Sequence, residues 1–325
     1  MEYITSLKEG KEDTHLFGGK ASNLFTLIKN EINVPPGYAI STKAFTLFLE
    51  ESHIKSIIRE IFAKEYNPKE VIELSTKIKN LFLTSEIPSN IISEIQRNHI
   101  KEFTDIDENT SYAVRSSANY EDSNSFSFAG QAQSFLNIRS VTEIILSIKM
   151  CWASLFSPQI LLYLLQLKKK GLNITPLNLE MAIVVQKMLK PQVSGVLFTA
   201  NVINNNKDQM MINSTWGLGE TITNNTIIPD IIILKKGNCD ELKITIGKKE
   251  KTSIVNPKGD STILIDTERK LQEACSLNSA QLKQLHSFGL KLEELFNYPQ
   301  DIEWAIENNI LYALQSRPIT TLPKK

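Results

Sequence analysis

The sequence predicts an α+β protein built from two lobes. Its 325 residues are enough for two domains or for one large two-lobed domain. Apolar spacing typical of helices dominates the first half, and runs typical of strands dominate the second half. The change falls near residues 182–185, so we place an N-terminal lobe at 1–184 and a C-terminal lobe at 185–325. A cleft between lobes is the usual place for a ligand.

Composition excludes several classes of protein. Hydrophobic residues make up 42% and charged residues 22%, which is ordinary for a soluble globular chain. The 36 basic and 36 acidic residues balance, so no excess charge indicates nucleic acid or a membrane as partner. The apolar segment 160–167 is too short to span a bilayer. Cys151, Cys239 and Cys275 form no metal pattern, which favours a reducing, cytoplasmic location.

The elements of the two halves follow from periodicity. In the first half, Gly18-Gly-Lys opens a helix after a glycine turn, and 112–115 is a short strand. Further helices are predicted at 42–62, 68–83, 88–103 and 141–167, the last interrupted near Ser157-Pro158. In the second half, an amphipathic helix covers 279–296, with Ser279 as its cap. The remaining segments there read as strands: 182–189, 195–200, 209–216, 227–234, 241–246 and 261–265.

The segment 299–320 predicts a β-hairpin that carries polar side chains. Asp301-Ile-Glu-Trp-Ala alternates polar and apolar residues, Asn308-Asn309 forms the turn, and 310–317 alternates less cleanly. Glu303, Gln315 and Arg317 then lie on neighbouring strands. Hard divalent cations take oxygen ligands, and arginine binds phosphate through a planar fork. The hairpin alone is equally consistent with a surface element that carries scattered polar residues.

Five other motifs permit nucleotide chemistry without requiring it. Lys20 follows a glycine turn and precedes a helix N-terminus, but the spacing is not that of a Walker loop. Arg115 and Ser116 end a strand, where they could clamp phosphate or form a salt bridge and a cap. For Gly130-Gln131 the alternative is a simple turn. For Gln186 with Met188 it is a buried strand, and for Trp216-Gly-Leu-Gly-Glu220 it is a tight bend.

The order of these motifs resembles one family. The motifs are Gly-Gly-Lys-Ala-Ser-Asn-Leu from Gly18, Ala-Val-Arg-Ser-Ser-Ala from Ala113, Ser-Phe-Ala-Gly-Gln from Ser127, Gly-Leu-Gly-Glu from Gly217 and Leu-Gln-Ser-Arg-Pro-Ile-Thr from Leu314. Together they resemble the ATP-grasp nucleotide-binding domain of the phosphoenolpyruvate synthase, pyruvate phosphate dikinase and rifampin phosphotransferase family, over about residues 15–320. The resemblance implies a two-lobed ATP-grasp fold with the nucleotide in the inter-lobe cleft.

The resemblance also implies ligands and roles. The cofactors would be ATP and Mg²⁺, with the magnesium held by Glu303 and Gln315 and the phosphoryl charge neutralised by Arg317. Lys20 and Arg115 would contact ATP phosphates. Ser116, Gly130 and Gln131 would lie in the loop that covers the phosphates. Gln186 and the backbone around Met188 would bind the adenine. Catalysis of this kind is mostly positioning and electrostatics.

Two departures from the family pattern bear on the interpretation. Asn225, Asn297 and Asn309 stand where the family usually has glycine, and asparagine tolerates the left-handed backbone that such turns need. The histidine motif of the family's swivelling domain, Thr-x-Gly-Gly-x-x-Ser-His, does not occur in these 325 residues. We therefore expect an isolated ATP-binding domain, either excised or a subunit, that donates a phosphoryl or pyrophosphoryl group to a histidine elsewhere.

The partners and the alternatives follow from that expectation. The implied partners are a phosphohistidine domain or subunit and a small-molecule acceptor bound by another domain. A second hypothesis is a self-sufficient kinase that acts on a small molecule without a histidine relay. A third is a non-catalytic nucleotide sensor or scaffold, against which Glu303, Gln315 and Arg317 argue, because a pure binding module has less need of them.

Overall fold

The chain forms two compact units. The computed structural model describes residues 2–62, 64, 66–104, 106–118, 133–171 and 176–322. The first unit comprises Met1–Thr26 and Pro36–Met188, and the second comprises Leu27–Pro35 and Leu189–Lys325. Each unit combines helices with an antiparallel sheet, so the mixed α+β class predicted from the sequence is confirmed.

The first unit is built on a five-stranded antiparallel sheet. Its strands are β1 (Ile4–Ser6), β2 (Gly37–Ile40), β3 (Tyr112–Ala118), β4 (Ser134–Ile138) and β5 (Met181–Lys187), in the order β1-β2-β5-β3-β4. The helices of this part of the chain are α1 (Thr14–Lys29), α2 (Thr42–Glu51), α3 (Ile54–Phe62), α4 (Pro68–Thr84), α5 (Ser89–Glu102), α6 (Val141–Ser154) and α7 (Pro158–Lys169).

The two faces of this sheet have different compositions. Val114 on β3 and Val185 on β5 are paired and belong to one apolar core, to which α2 to α7 also contribute. The alternate residues of the same strands, Arg115 and Gln186 among them, lie on the opposite face. Because side chains alternate along a strand, burying one set leaves the other set available for polar chemistry.

One helix predicted as continuous is broken in the structure. The segment 42–62 forms two helices, α2 and α3, rather than one. The break is at Ser52 and His53: the Ser52 hydroxyl donates to the Phe48 carbonyl, and His53 has a left-handed φ of 59°. A side chain that bonds the helix's own carbonyl, followed by a left-handed residue, ends the helix although its apolar stripe continues.

The apolar helical stretch Val141–Lys169 is long enough to cross a membrane by length and composition. It consists of α6 and α7, which are separated at Ser157, and the Ser157 hydroxyl accepts from the backbone N–H of Ile160. Within this stretch, 61% of the most apolar window is buried inside the molecule. Such burial is what a core helix of a soluble protein shows, and the predicted interruption near Ser157 is confirmed.

The second unit is built on a six-stranded antiparallel sheet. Its strands lie in the order β13-β12-β6-β7-β8-β9, and β10 and β11 form a separate two-stranded sheet. The bounds are β6 (Val193–Phe198), β7 (Gln209–Trp216), β8 (Asp230–Lys235), β9 (Glu241–Thr245), β10 (Lys251–Val255), β11 (Thr262–Asp266), β12 (Gln300–Glu307) and β13 (Ile310–Pro318). The helices are α8 (Glu220–Thr223), α9 (Arg269–Gln272) and α10 (Ser279–Phe296).

Helix α10 covers one face of this sheet. A Cβ on its Gly289 would lie 2.9 Å from a Leu197 methyl and 3.2 Å from the Met210 sulfur, so the helix backbone approaches β6 and β7 closely. Its N-cap is Asn278, not the predicted Ser279. The Asn278 side chain accepts from the Gln281 N–H, and the Gln281 side chain accepts from the Asn278 N–H, which together form a capping box.

Asparagine supplies the left-handed turns that the sequence predicted. Asn225, Asn297 and Asn309 have φ values of 52°, 53° and 63°. Asn308, with φ of 51°, precedes Asn309 in the turn between β12 and β13, so both central residues have the positive φ that a type I′ hairpin requires. The predicted hairpin and its turn are therefore confirmed.

A buried ion pair ties the end of the large sheet to the segments beside it. Asp230 and Lys249 both have fully buried side chains, and their Oδ1 and Nζ atoms are 2.5 Å apart. Asp230 also accepts from the Gly247 N–H and, through Oδ2, from the backbone and hydroxyl of Ser276. Lys249 also donates to the carbonyls of Gly247 and Gln272. A buried pair is tolerated only when its remaining hydrogen bonds are made, as they are here.

Removing one member of this pair should strongly destabilise the second unit. We expect Lys249→Met to lower the free energy of unfolding by about 3–5 kcal/mol, because Asp230 stays buried without its counter-charge. The control is Lys251→Met, which breaks the exposed Lys251–Asp266 pair and should cost less than about 1 kcal/mol. Urea unfolding of both variants provides the comparison, and equal losses would show that burial does not set the strength of the first pair.

Candidate functional site

The β12–β13 hairpin brings four polar side chains to one face of the large sheet. Glu303 is directly opposite Gln315, and Asp301 is directly opposite Arg317. Directly paired residues point to the same side of a sheet, and so do residues two apart on one strand. Two carboxylates, an amide oxygen and a guanidinium therefore share this face, which is the face opposite the buried residues Ile302 and Trp304.

An extra residue in β13 makes this arrangement possible. Leu311 and Ala313 are buried opposite Ile306 and Trp304, and strict alternation would put Gln315 and Arg317 on that same buried side. The pairing shifts between Trp304–Ala313 and Glu303–Gln315, which leaves Leu314 without an opposite residue. This β-bulge reverses the phase of the strand, so that its last polar residues lie with Glu303. The uneven alternation seen in the sequence has this cause.

Arg317 is held by Asp301, a residue that the sequence interpretation missed. Its Nε and one terminal nitrogen both lie 2.9 Å from Asp301 Oδ2. The Asp301 side chain is 13% exposed and that of Arg317 is 46% exposed. Burial raises the pKa of Asp301; Arg317 opposes this rise and Glu303 adds to it. The available signal was position, because Asp301 is two residues before Glu303 and faces Arg317 once the hairpin register is known.

In the first unit, Arg115 and Gln186 share a face of the smaller sheet. Gln186 is opposite Ala113 and Arg115 is opposite Val184, so the two side chains are diagonal neighbours on adjacent strands. Gln186 is buried and Arg115 is half-buried. The structure thus brings together, within this unit, the residue predicted for adenine and one predicted for phosphate.

Ser116 is not in the loop where it was predicted. It lies within β3 and is fully buried. Its side chain is on the core-facing side of the sheet, whereas that of Arg115 is on the other side. Its N–H and its hydroxyl both donate to the Gln133 carbonyl, at 3.3 and 3.1 Å. Ser117 is the residue that shares the Arg115 face. Gly130 and Gln131, the other predicted members of that loop, lie outside the described residues.

A glycine with left-handed backbone places Lys20 against β3. Gly18 has φ 69° and ψ 174°, which interrupts α1, and a Cβ there would lie 2.2 Å from the Ser117 carbonyl oxygen. The Ser117 hydroxyl donates to the Phe17 carbonyl and accepts from the Ala21 N–H. Lys20 is half-buried beside this junction. The predicted glycine turn before a helix is confirmed, and it fixes the start of the lysine-bearing segment.

Met188 is packed into the first unit. It is 8% exposed, its N–H donates to the Ser111 carbonyl at 2.8 Å, and its sulfur lies 3.0 Å from the Asn137 N–H. An adenine contact by the Met188 backbone, as predicted, would therefore use atoms other than its N–H. That contact stays a prediction.

The Gly-Leu-Gly-Glu segment forms a bend fastened to the small sheet. Gly217 has φ of 69°, and a Cβ there would lie 2.4 Å from the Ser253 carbonyl oxygen. The Glu220 carboxylate accepts hydrogen bonds from the hydroxyls of Ser253 on β10 and Thr262 on β11. The tight bend predicted for this segment is present, and a role of Glu220 in positioning metal or phosphate stays a prediction.

The hairpin residues suit a magnesium ion that also binds phosphate. Glu303 and Gln315 each offer a side-chain oxygen, and they stand directly opposite each other. Among the described residues, no group of three or more His, Cys, Asp or Glu side chains is arranged to hold a metal. Mg²⁺ typically uses one or two carboxylates together with substrate phosphates and water, rather than a cage of protein ligands. The donor set therefore fits Mg²⁺ bound to a phosphate ligand.

Comparison with known protein families identifies the chain. Residues 14–325 match the family described as "Pyruvate phosphate dikinase, AMP/ATP-binding domain". The chain belongs to this family. The resemblance inferred from the order of the motifs is thus confirmed, and with it the ATP-grasp class of fold. The position of the nucleotide between two lobes stays a prediction.

Curated relatives of this AMP/ATP-binding domain carry different names. The chain is 32% identical, over 100% of its length, to a probable phosphoenolpyruvate synthase of Methanocaldococcus jannaschii, of which it covers 27%. It is 32% identical over 97% of its length to the phosphoenolpyruvate synthase of Pyrococcus furiosus, of which it covers 43%. It is 33% identical over 96% of its length to the rifampicin phosphotransferase of Bacillus subtilis, of which it covers 35%. The chain therefore spans less than half the length of each of these relatives.

The steric requirement at Gly18 can be separated from its backbone requirement. Gly171 also has a positive φ, of 84°, but a Cβ there would meet no heavy atom of the described residues within 4 Å. We expect Gly171→Ala to cost about 1–2 kcal/mol of unfolding free energy, the left-handed penalty alone. Gly18→Ala should cost more, because it adds a collision with the Ser117 backbone. Urea unfolding measures both losses, and similar values would mean that α1 moves away without penalty.

The raised pKa of Asp301 predicts a pH dependence with a definite sign. Because burial raises this pKa above 3.8, the folded state holds the proton more tightly than the unfolded state does. The contribution of Asp301 to the free energy of unfolding should therefore fall as pH rises from about 4 through the raised pKa. Subtracting the values for Asp301→Asn from those of the wild type, across a pH series, isolates this contribution.

The control for this pH series is Asp266→Asn, whose carboxylate is 86% exposed. This substitution should change the free energy of unfolding at neutral pH by less than about 1 kcal/mol, because the ion pair that it breaks is exposed. A difference for Asp301→Asn that instead increases with pH would show that the Arg317 ion pair outweighs burial.

Proposed function

We propose that this chain is the Mg-ATP-binding part of a dikinase-type phosphotransferase. The observation that carries the proposal is the paired set on the hairpin: Glu303 opposite Gln315, and Asp301 opposite Arg317, on one face. Oxygen ligands for a divalent cation and a guanidinium suited to phosphate then belong to neighbouring residue pairs on this face. ATP bound to magnesium presents both groups together, a cation and a polyphosphate.

The residues of the hairpin have different roles at the phosphates. Magnesium held by Glu303 and Gln315 would supply charge neutralisation to the phosphate oxygens. Arg317 stabilises the negative charge that develops on the transferring group, and Asp301 positions Arg317 through its ion pair. None of these side chains needs to form a covalent bond, because phosphoryl transfer depends mainly on positioning and electrostatics.

In this proposal, further ATP contacts come from residues of the first unit, and the family resemblance supports them. Gln186 is buried on the sheet face that it shares with Arg115, which suits an amide that reads a base edge beside a cation that binds phosphate. Lys20 follows the fixed turn at Gly18 and offers a second cation.

The names of the relatives support the ATP end of the reaction as the shared part. Nearly the whole of this chain matches both a protein named phosphoenolpyruvate synthase and one named rifampicin phosphotransferase. Because those names give different products, the segment that they share is better assigned to the common phosphate donor than to the acceptor. We propose that the group passes to a histidine on another domain or subunit, and from there to a small molecule, in the cytoplasm.

Turnover should depend on Arg317 while folding does not. We expect Arg317→Ala to reduce ATP consumption about 10³-fold or more, the scale lost when a transition-state arginine is removed. The control is Arg269→Ala, which removes an exposed arginine of α9 and should leave activity unchanged. The measurement is nucleotide analysis after incubation with Mg-ATP, with and without the histidine-bearing partner.

The products distinguish the competing functions. AMP that forms only with the partner supports a histidine relay. AMP or ADP that forms from this chain alone, and is lost in Arg317→Ala, indicates the self-sufficient kinase. Full activity of Arg317→Ala would refute the role of that residue, and failure to bind Mg-ATP would refute the proposed function as a whole. Binding without turnover in the presence of every partner indicates the nucleotide sensor.

A further inference from the structure

Two polar residues of β7 lie on the same sheet face as the proposed cation ligands. Glu303 on β12 is paired with Val196 on β6, and Val196 is paired with Asn213 on β7. Thr215 is two residues further along β7 and is paired with Ser194, which belongs to the same face. The register therefore places the side chains of Asn213 and Thr215 on the Glu303 side of the sheet, opposite the side that α10 covers.

Both residues contain a buried polar atom without a partner. Asn213 Oδ1 and Thr215 Oγ1 have no hydrogen-bond partner among the residues that the structure describes. Thr215 is fully buried. A buried polar atom that loses water and gains no hydrogen bond destabilises the folded protein, so such atoms are rare and call for an explanation. Two of them on one strand and one face form a group rather than an isolated case.

The directly paired neighbours of Asn213 offer it no hydrogen bond. Asn213 is flanked in the sheet by Val196 and Ile231, which are apolar. The hydroxyl of Ser194, which is paired with Thr215, donates its proton to the Gly217 carbonyl at 2.6 Å, so that proton is not available to Asn213 Oδ1. Neither directly paired residue therefore provides a donor to Asn213 Oδ1.

We propose that Asn213, assisted by Thr215, binds a water ligand of the divalent cation held by Glu303 and Gln315. The inference rests on the proposed function, since it assigns a further positioning residue to the same site. The chemistry matches, because a water bound to a cation has its lone pair on the metal and presents only donors. Asn213 Oδ1 is an acceptor, as are the carboxylate of Glu303 and the amide oxygen of Gln315.

The spacing favours contact through water over direct ligation. Two strand spacings separate Glu303 from Asn213, which is about 9–10 Å between their Cα atoms. A chain of ligand oxygen, cation, water and acceptor spans about 7 Å, from two metal–oxygen distances of about 2.1 Å and one hydrogen bond of about 2.8 Å. Side chains on the same face that lean towards each other cover the remainder. Mg²⁺ sheds its water reluctantly, so protein groups that bind its waters are expected.

Cation affinity tests the inference directly. We expect Asn213→Leu, which removes the amide at nearly constant volume, to raise the Kd of Mn²⁺ in the presence of a non-hydrolysable ATP analogue by about 10-fold, as observed for residues just outside a metal's direct ligands. Electron paramagnetic resonance of free Mn²⁺ gives that Kd. Binding of the analogue in EDTA should be unchanged, because the proposed contact is made through the cation.

Matched variants separate this role from a structural one. Thr215→Val removes a buried hydroxyl of the same group and should weaken Mn²⁺ binding while the thermal midpoint of the metal-free protein stays the same or rises. Thr221→Val is the control, since its hydroxyl is also buried without a partner among the described residues, but it lies on α8. Its Mn²⁺ affinity should equal that of the wild type. Asn213→Ser serves if the leucine variant fails to fold.

The outcomes distinguish this inference from the proposed function. If Glu303→Gln weakens Mn²⁺ binding and both folded β7 variants bind as the wild type does, the Asn213 inference is overturned and the proposed function stands. If Glu303→Gln leaves Mn²⁺ binding unchanged, the proposed cation site is refuted, and the inference with it. An equal loss in Thr221→Val would also overturn the inference, by showing a general effect of removing buried hydroxyls.

Discussion

The reversal of strand phase at Leu314 is the constraint on which the candidate site depends. A strand that contributes to a core must keep one parity of residues inside, and Leu311 and Ala313 set that parity for β13. Gln315 and Arg317 have the same parity, so an unbroken ladder would bury them against the apolar side of the sheet. The single unpaired residue lets one strand serve the core in its first half and the polar face in its second half.

Both units solve the same physical problem in the same way. Each has an antiparallel sheet with one face packed against helices. These are α2 to α7 in the first unit and α10 in the second. The other face is then available for polar residues, Arg115 and Gln186 in one case and Glu303 and Arg317 in the other. Burial on one side stabilises the unit, and the alternation of side chains along each strand places polar groups on the other side.

Local signals in the sequence predicted the parts of the fold that local chemistry determines. The Asn308-Asn309 hairpin, the helix break at Ser157 and the glycine turn at Gly18 each depend on the backbone preferences of one or two residues, and each is present. Features that depend on pairing with distant residues were missed. Asp301 becomes a partner of Arg317 only through the hairpin register, and Ser116 faces the core only through its pairing with Ile183. The prediction of a single helix over 42–62 was wrong, because the spacing of apolar residues does not report a break in the helical backbone.

The second unit contains two kinds of buried polar group, which differ in whether their hydrogen bonds are made. Asp230 and Lys249 are fully buried and make several hydrogen bonds each, so their charges contribute to a defined structure. Asn213 and Thr215, on the neighbouring strand, contain buried atoms that the described protein leaves unpaired. If folding alone had shaped this sheet, apolar residues would be the more stable choice at both positions. In the proposed arrangement a water ligand of the cation completes the hydrogen bond of Asn213, so the unpaired atom destabilises only the empty site.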